Sequence, residues 1–233
     1  MLRAFLIFLF SLLFSSGAGA QYMLQDKIEL FNKPANSTDN STDNAKIIKI
    51  VGFGDNLMSG YKLGAYRDYI STLERRLWQE RYSNIKVYKY SSVGQTTGDA
   101  LKKLQAIIDI KPNVVIIELG LNDAIQKIPL KTTYDNLTYI IENLQKNNIQ
   151  ILLMGMKAPP LADSEYKKQF PAMYSYLANK YKILLYKFFL KEVAGNEDLT
   201  LSDKIHPNQK GVTLMVENTL PYVTKLIQLS ANN

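Results

Sequence analysis

The chain has 233 residues, enough for one domain with a substantial core, and its 46% hydrophobic content excludes disordered and fibrous classes. It has no cysteine and a single histidine, His206, which excludes a cysteine nucleophile, a thiolate metal site and a multi-histidine metal site. The net charge of +7 arises from cations scattered among acids, as in Glu74-Arg75-Arg76, with no basic and aromatic stripe, so solvated faces are expected and nucleic acid is not.

Residues 1–20 have the layout of a secretory signal peptide. Arg3 precedes an apolar run from Ala4 to Phe14, and Ala18-Gly19-Ala20 offers a small-x-small cleavage site before Gln21. The run is shorter than the ~20 residues a bilayer requires, so an exported protein, periplasmic or secreted, is expected, with no integral membrane segment after cleavage. The rival reading is an uncleaved N-terminal anchor. Residues 21–45 hold a short amphipathic stretch and then Asn36-Ser37-Thr38-Asp39, repeated as Asn40-Ser41-Thr42-Asp43. Such a polar repeat buries nothing and reads as a linker, with two N-x-[ST] matches inside it.

The folded domain is expected over 46–229. Strands are predicted at Lys46 to Phe53, Ile85 to Tyr90, Asn113 to Leu119, Ile149 to Met154 and Ile183 to Phe188. Helices are predicted at Gly64 to Tyr82, Thr97 to Ile108, Thr133 to Lys146, Ser164 to Lys180 (interrupted or bent at Pro171) and Gln209 to Gln228. Five short apolar strands alternating with helices predict an α/β fold with a parallel sheet covered on both faces. In such folds the site lies beyond the carboxyl ends of the strands.

Four polar clusters fall at that edge: Gly54-Asp55-Asn56-Leu57, Ser92-Val93-Gly94-Gln95, Gly120-Leu121-Asn122-Asp123 and Asp203-Lys204-Ile205-His206-Pro207. Each alone reads as a turn, a helix cap or a positive-φ glycine. Together they supply most of what acyl transfer needs. Asp203 and His206, three residues apart, can share one side of a tight turn, where the carboxylate would fix the imidazole tautomer. Asn122 offers an amide N–H and Gly94 an unobstructed backbone N–H, the makings of an oxyanion hole.

These clusters resemble the blocks of the SGNH (GDSL) hydrolase superfamily, and in particular its thioesterase/arylesterase/lysophospholipase branch. The first looks like Gly-Asp-Ser-Leu, the third like Gly-x-Asn-Asp behind Glu118-Leu119, and the last like Asp-x-x-His-Pro-Asn over Asp203 to Asn208. The similarity spans about Lys46 to Leu226. It implies a three-layer, flavodoxin-like sandwich with a five-stranded sheet. By analogy Asp203 and His206 complete the triad, and Gly94, Asn122 and the backbone N–H of Asn56 form the oxyanion hole. No metal and no organic cofactor are implied. The implied substrate is a small acyl ester, thioester or lysophospholipid-like molecule, the loops Ala124 to Pro129 and Lys157 to Asp163 would shape its acyl pocket, and a monomer is expected.

One position departs from the family pattern. The nucleophilic serine is Asn56, whose carboxamide nitrogen is not basic and forms no normal acyl-enzyme. The alternatives are a silent acyl- or glycan-binding module, a hydrolase in which His206 activates water directly, a substitute nucleophile at Ser59, and a strain variant, engineered substitution or sequence error in an otherwise ordinary esterase. Deacetylation of surface glycans is a further reading on the same fold.

Overall fold

The computed structural model describes residues 46–231. The expected signal peptide and the segment 21–45 lie outside the described residues. Five strands, β1 (Ile48–Gly54), β2 (Ile85–Lys89), β3 (Val114–Glu118), β4 (Gln150–Met154) and β5 (Leu184–Tyr186), form one parallel sheet in the order β2-β1-β3-β4-β5. This is the flavodoxin-like doubly wound order, with the chain reversing direction across the sheet at the β1/β3 boundary. Register is fixed by pairs such as Ile50 with Val87 and Val114, Ile116 with Leu152, and Leu153 with Leu185.

The central strands have continuous apolar runs because both their faces are covered. Ile50, Val51, Phe53, Val114 through Ile117, and Leu152 through Met154 are all essentially inaccessible to solvent. The described helices are α1 (Asn56–Ser59), α2 (Tyr69–Gln79), α3 (Thr97–Leu101), α4 (Leu104–Asp109), α5 (Leu121–Ile125), α6 (Leu130–Lys146), α7 (Ser164–Tyr181) and α8 (Gln209–Ala231). Helices α2 and α8 pack together, with α8 lying along β1, β3, β4 and β5; α6 packs on α3, α7 and β4, and α7 on β4 and β5. The result is the expected three-layer sandwich.

Element boundaries move where local hydrogen bonding overrides periodicity. The first predicted helix does not begin at Gly64, because Asp68 caps α2 by accepting from the Ser71 N–H at 2.9 Å. The predicted helix over Thr97 to Ile108 divides at Lys102-Lys103, where Lys102 N–H and Lys103 N–H turn back to the carbonyls of Asp99 and Ala100. Lys103 Nζ is meanwhile tied to Ser92 Oγ at 2.7 Å and to Gln95 Oε1. Of the two outcomes expected at Pro171, interruption or bending, interruption does not occur. Helix α7 runs through it as one element, since Phe170, Tyr174 and Leu177 beside the proline are buried in the core.

Candidate active site

Because all five strands are parallel, the turns after β1, β2 and β3 open on one edge of the sheet. The β1–α1 turn is built from the bottom up by Gly54. A Cβ there would lie 2.7 Å from Glu118 Oε2 and 2.9 Å from Met58 Cβ, so a larger residue would push β1 off β3. Asp55 then caps α1, accepting from Leu57 N–H at 3.1 Å, while its own N–H donates to Glu118 Oε2 at 2.9 Å. Both carboxyl groups are fully buried. Burial raises Asp55 to about 6, and burial followed by the charge of Asp55 holds Glu118 well above the usual carboxylate range.

Asn56 opens α1 and projects its carboxamide to the solvent side of this pair. Oδ1 accepts from Gly94 N–H at 2.6 Å, with Asn122 Nδ2 3.5 Å away. Nδ2 faces His206 Nε2 at 3.3 Å. The donors fix the amide orientation: a backbone N–H can only donate, so the atom it meets is the oxygen. The Asn56 backbone N–H bears on the Asp55 carboxylate and helps to lower its pKa.

The segment before α8 carries the histidine. Asp203 Oδ1 accepts from the backbone N–H groups of Ile205 (3.0 Å) and His206 (2.9 Å), which folds the chain into the tight turn that the three-residue spacing predicts. Asp203 Oδ2 then meets His206 Nδ1 at 2.9 Å. A carboxylate only accepts, so Nδ1 carries the proton and Nε2 is left with its lone pair toward Asn56. Desolvation works to raise the Asp203 pKa, but its bonds from His206 and Ile205 outweigh this and hold it at about 2. The loop is locked on both sides. Leu201 N–H donates to His206 O at 2.8 Å, and Asn208 Oδ1 accepts from the Lys210 and Gly211 N–H groups at the start of α8. The Tyr61 ring lies 4.4 Å from the imidazole, centroid to centroid, tilted 44° to its plane.

Gly94 has φ 76°, and no atom lies within 4 Å of where its Cβ would stand. Its conformation, not lack of room, selects glycine there. The loop is anchored from behind. Gln95 Nε2 donates to Gly54 O at 3.0 Å, and buried Asp123 accepts from Thr97 N–H at 2.8 Å, Thr97 Oγ1 and Thr133 Oγ1. Asn122 is 9% exposed, and its Nδ2 divides its protons between Asp55 Oδ2 (3.0 Å), Gln95 O (3.1 Å) and the longer contact to Asn56 Oδ1.

Asn56, Gly94, Asn122, Asp203 and His206, 150 residues apart at their extremes, thus converge on one small region. Ser59 is not turned toward it: Ser59 Oγ donates to Asn56 O at 3.3 Å inside its own short helix. Among the described residues no group of three or more acidic or histidine side chains is disposed to hold a metal ion. Sequence reasoning missed the supporting groups, namely Asp55 behind Asn122, Glu118 behind Asp55, Gln95 and Asp123 behind Gly94, and Tyr61 against His206. Asp55, Gln95 and Asp123 each adjoin a predicted site residue, and Glu118 sits at the end of a strand; Tyr61 carries no local signal.

Comparison with known proteins places the chain in a family. The GDSL-like Lipase/Acylhydrolase family profile matches residues 53–214. Thioesterase 1/protease 1/lysophospholipase L1 of Escherichia coli K12 is 31% identical over 157 residues, 67% of this chain and 74% of that protein. Esterase TesA of Pseudomonas aeruginosa is 28% identical over 187 residues, 80% of this chain and 92% of that protein. The crystal structure of the psychrotrophic esterase EstA from Pseudoalteromonas sp., inhibited by monoethylphosphonate, superposes with a TM-score of 0.72 at 30% identity, covering 77% of this chain and 98% of that one. With the matching sheet order, the clustered blocks and a profile match across most of its length, this chain belongs to the GDSL-like lipase/acylhydrolase family of esterases.

Proposed function

We propose that this protein is an exported, slow acyl-ester hydrolase in which His206, oriented by Asp203, activates water directly, with Gly94 and Asn122 receiving the ester carbonyl. One observation carries the reading. Gly94 N–H already binds a carbonyl oxygen, that of Asn56, while the other end of the same amide meets the lone pair of His206. The donors and the base are therefore spaced to act on one acyl group. An ester enters when the Asn56 side chain swings away and its carbonyl oxygen takes the place of Oδ1. Water held by His206 Nε2 then attacks the carbonyl carbon, the imidazole takes the water's proton, and the Gly94 and Asn122 donors stabilise the oxyanion. The imidazolium returns that proton to the leaving alkoxide or thiolate. No acyl-enzyme forms, and turnover rests on the ~10³–10⁴-fold acceleration that remains when a triad member is lost.

Small acyl esters, thioesters and lysophospholipid-like molecules are the proposed substrates, in keeping with the names of the relatives. The exposed apolar side chains of Ile125 and Leu161, in the segments expected to shape the acyl pocket, suit an aliphatic arm. Export rests on the signal-like first twenty residues. No helix among the described residues is long and apolar enough to cross a membrane.

A second reading, a silent ligand-binding module, draws on the same observation, since Asn56 fills the place a substrate carbonyl would take. Hydrolysis of p-nitrophenyl acetate, butyrate and octanoate by the native protein and by His206→Ala separates the two. Turnover that His206→Ala abolishes establishes the hydrolase. Turnover that is absent, or indifferent to the substitution, refutes it. Activity confined to acetate would favour the deacetylase reading over a longer acyl substrate.

A further inference from the structure

The three polar atoms of the Asn56 side-chain surroundings are disposed as those of a scissile acyl group would be. The carbonyl oxygen lies 2.6 Å from the Gly94 N–H with Asn122 Nδ2 behind it, and the nitrogen lies 3.3 Å from the base. In amide hydrolysis these are the two placements that matter: oxygen against the oxyanion donors, leaving nitrogen beside the group that will protonate it. We propose that Asn56 is a self-processing site, at which the protein hydrolyses its own carboxamide to leave an aspartate at position 56. The inference rests on the proposed roles of His206, Asp203 and the oxyanion donors, but it concerns a modification rather than a substrate.

The step balances as one carboxamide and one water giving one carboxylate and one ammonium ion. The bond from Nδ2 to His206 Nε2 is long and weak at 3.3 Å, so the lone pair is readily exchanged to a water on the open face of Asn56, which is half-buried. The water oxygen bonds to Cγ as its proton passes to Nε2. Oδ1 becomes the oxyanion against Gly94 N–H and Asn122 Nδ2. The Cγ–Nδ2 bond then breaks as Nε2–H returns its proton to the nitrogen, and ammonia leaves and takes up the acid proton. Asp203 at 2.9 Å stabilises the imidazolium between the two transfers.

The ordinary route to asparagine deamidation is obstructed here. It requires the backbone nitrogen of the next residue to attack Cγ through a cyclic imide. That nitrogen, on Leu57, donates to Asp55 Oδ1 at 3.1 Å within the capped first turn of α1. An imide would also open in part to isoaspartate, whereas direct water attack yields only normal aspartate. The product replaces a neutral plug in the oxyanion hole with an anionic one against His206.

The test is peptide mass spectrometry of the full-length protein incubated near neutral pH in ordinary and in ¹⁸O-enriched water. The expected result is conversion of Asn56 alone, a gain of about 1 Da in ordinary water and about 3 Da in enriched water, without isoaspartate. In His206→Ala and, independently, Asp203→Asn, conversion should slow by about 10²-fold. Persistence of the Asn56 amide, conversion indifferent to both substitutions, or isoaspartate as a product would each overturn the proposal. Ester hydrolysis by Asn56→Ser is measured alongside. An active serine variant beside an intact native amide would sink self-processing and leave the proposed hydrolase machinery standing; failure of both would remove the machinery itself.

Discussion

Asn56 Nδ2 stands 3.3 Å from His206 Nε2, on the opposite side of the imidazole from Asp203, so the side chain at the proposed nucleophile position donates to the proposed base as a serine hydroxyl would. The same side chain also reaches Gly94, which a serine leaves free for substrate. The site is thereby closed on itself.

This closure has a kinetic consequence. A substrate carbonyl must displace two hydrogen bonds of Asn56, each with a net value of about 1 kcal/mol. Asn56→Ala removes both and leaves the donors and the base in place. Its His206-dependent hydrolysis of p-nitrophenyl butyrate should exceed that of the native protein by roughly 10- to 30-fold in kcat/KM. A variant no faster than native would mean that Asn56 assists the reaction instead of obstructing it.

The buried Asp55–Glu118 pair predicts a pH dependence of stability. Asp55 rises from 3.8 to about 6 and Glu118 rises well above its ordinary value, both chiefly because burial disfavours the charged form. A folded-state pKa above the unfolded value means that the native protein binds protons more tightly. The contribution to stability is therefore full below about pH 4 and declines as pH rises through 6. Glu118→Gln keeps an oxygen for the Asp55 N–H and removes one titration. In thermal unfolding at pH 5 and pH 8, the native protein should lose more stability between the two than the variant, by about 1 kcal/mol or more. Equal losses would contradict the upward shift of Glu118.

Gly120 supports the third block in a way that substitution can check. Its φ is 114°, and an added Cβ would fall on the Tyr174 hydroxyl, which is buried and donates to Leu119 O at 2.8 Å. Gly120→Ala should destabilise the fold by about 2–4 kcal/mol through overpacking and backbone strain together. Chemical denaturation measures it, and a loss below about 1 kcal/mol would show that the turn relaxes.

The architecture was legible in the sequence because it follows from short-range rules. Apolar runs such as Val114 to Ile117 are readable as central strands, and alternation with helices dictates a parallel sheet whose strand ends carry the site. The Asp203–His206 pair was equally legible, since three residues of separation suffice for a carboxylate to hold both the turn and the imidazole. What could not be read were relationships set only by packing. Tyr61 meets His206 across 145 positions (206 − 61) because two loops converge, and Asn122 is shared among Asp55, Gln95 and Asn56 because β1 and β3 are neighbours. The substitution at position 56 was plain, but nothing local signals that the asparagine reaches past His206 to the Gly94 N–H. That depends on side-chain length against a fixed gap.

We hold that the proposed site lacks only its nucleophile, and restoring that one group is the decisive experiment. Purified Asn56→Ser should hydrolyse p-nitrophenyl butyrate at least about 10³-fold faster in kcat than the native protein, should lose that gain on adding His206→Ala, and should be labelled by a fluorophosphonate probe that leaves the native chain unmarked. A folded serine variant that stays as slow as the native protein and takes no label would contradict the claim.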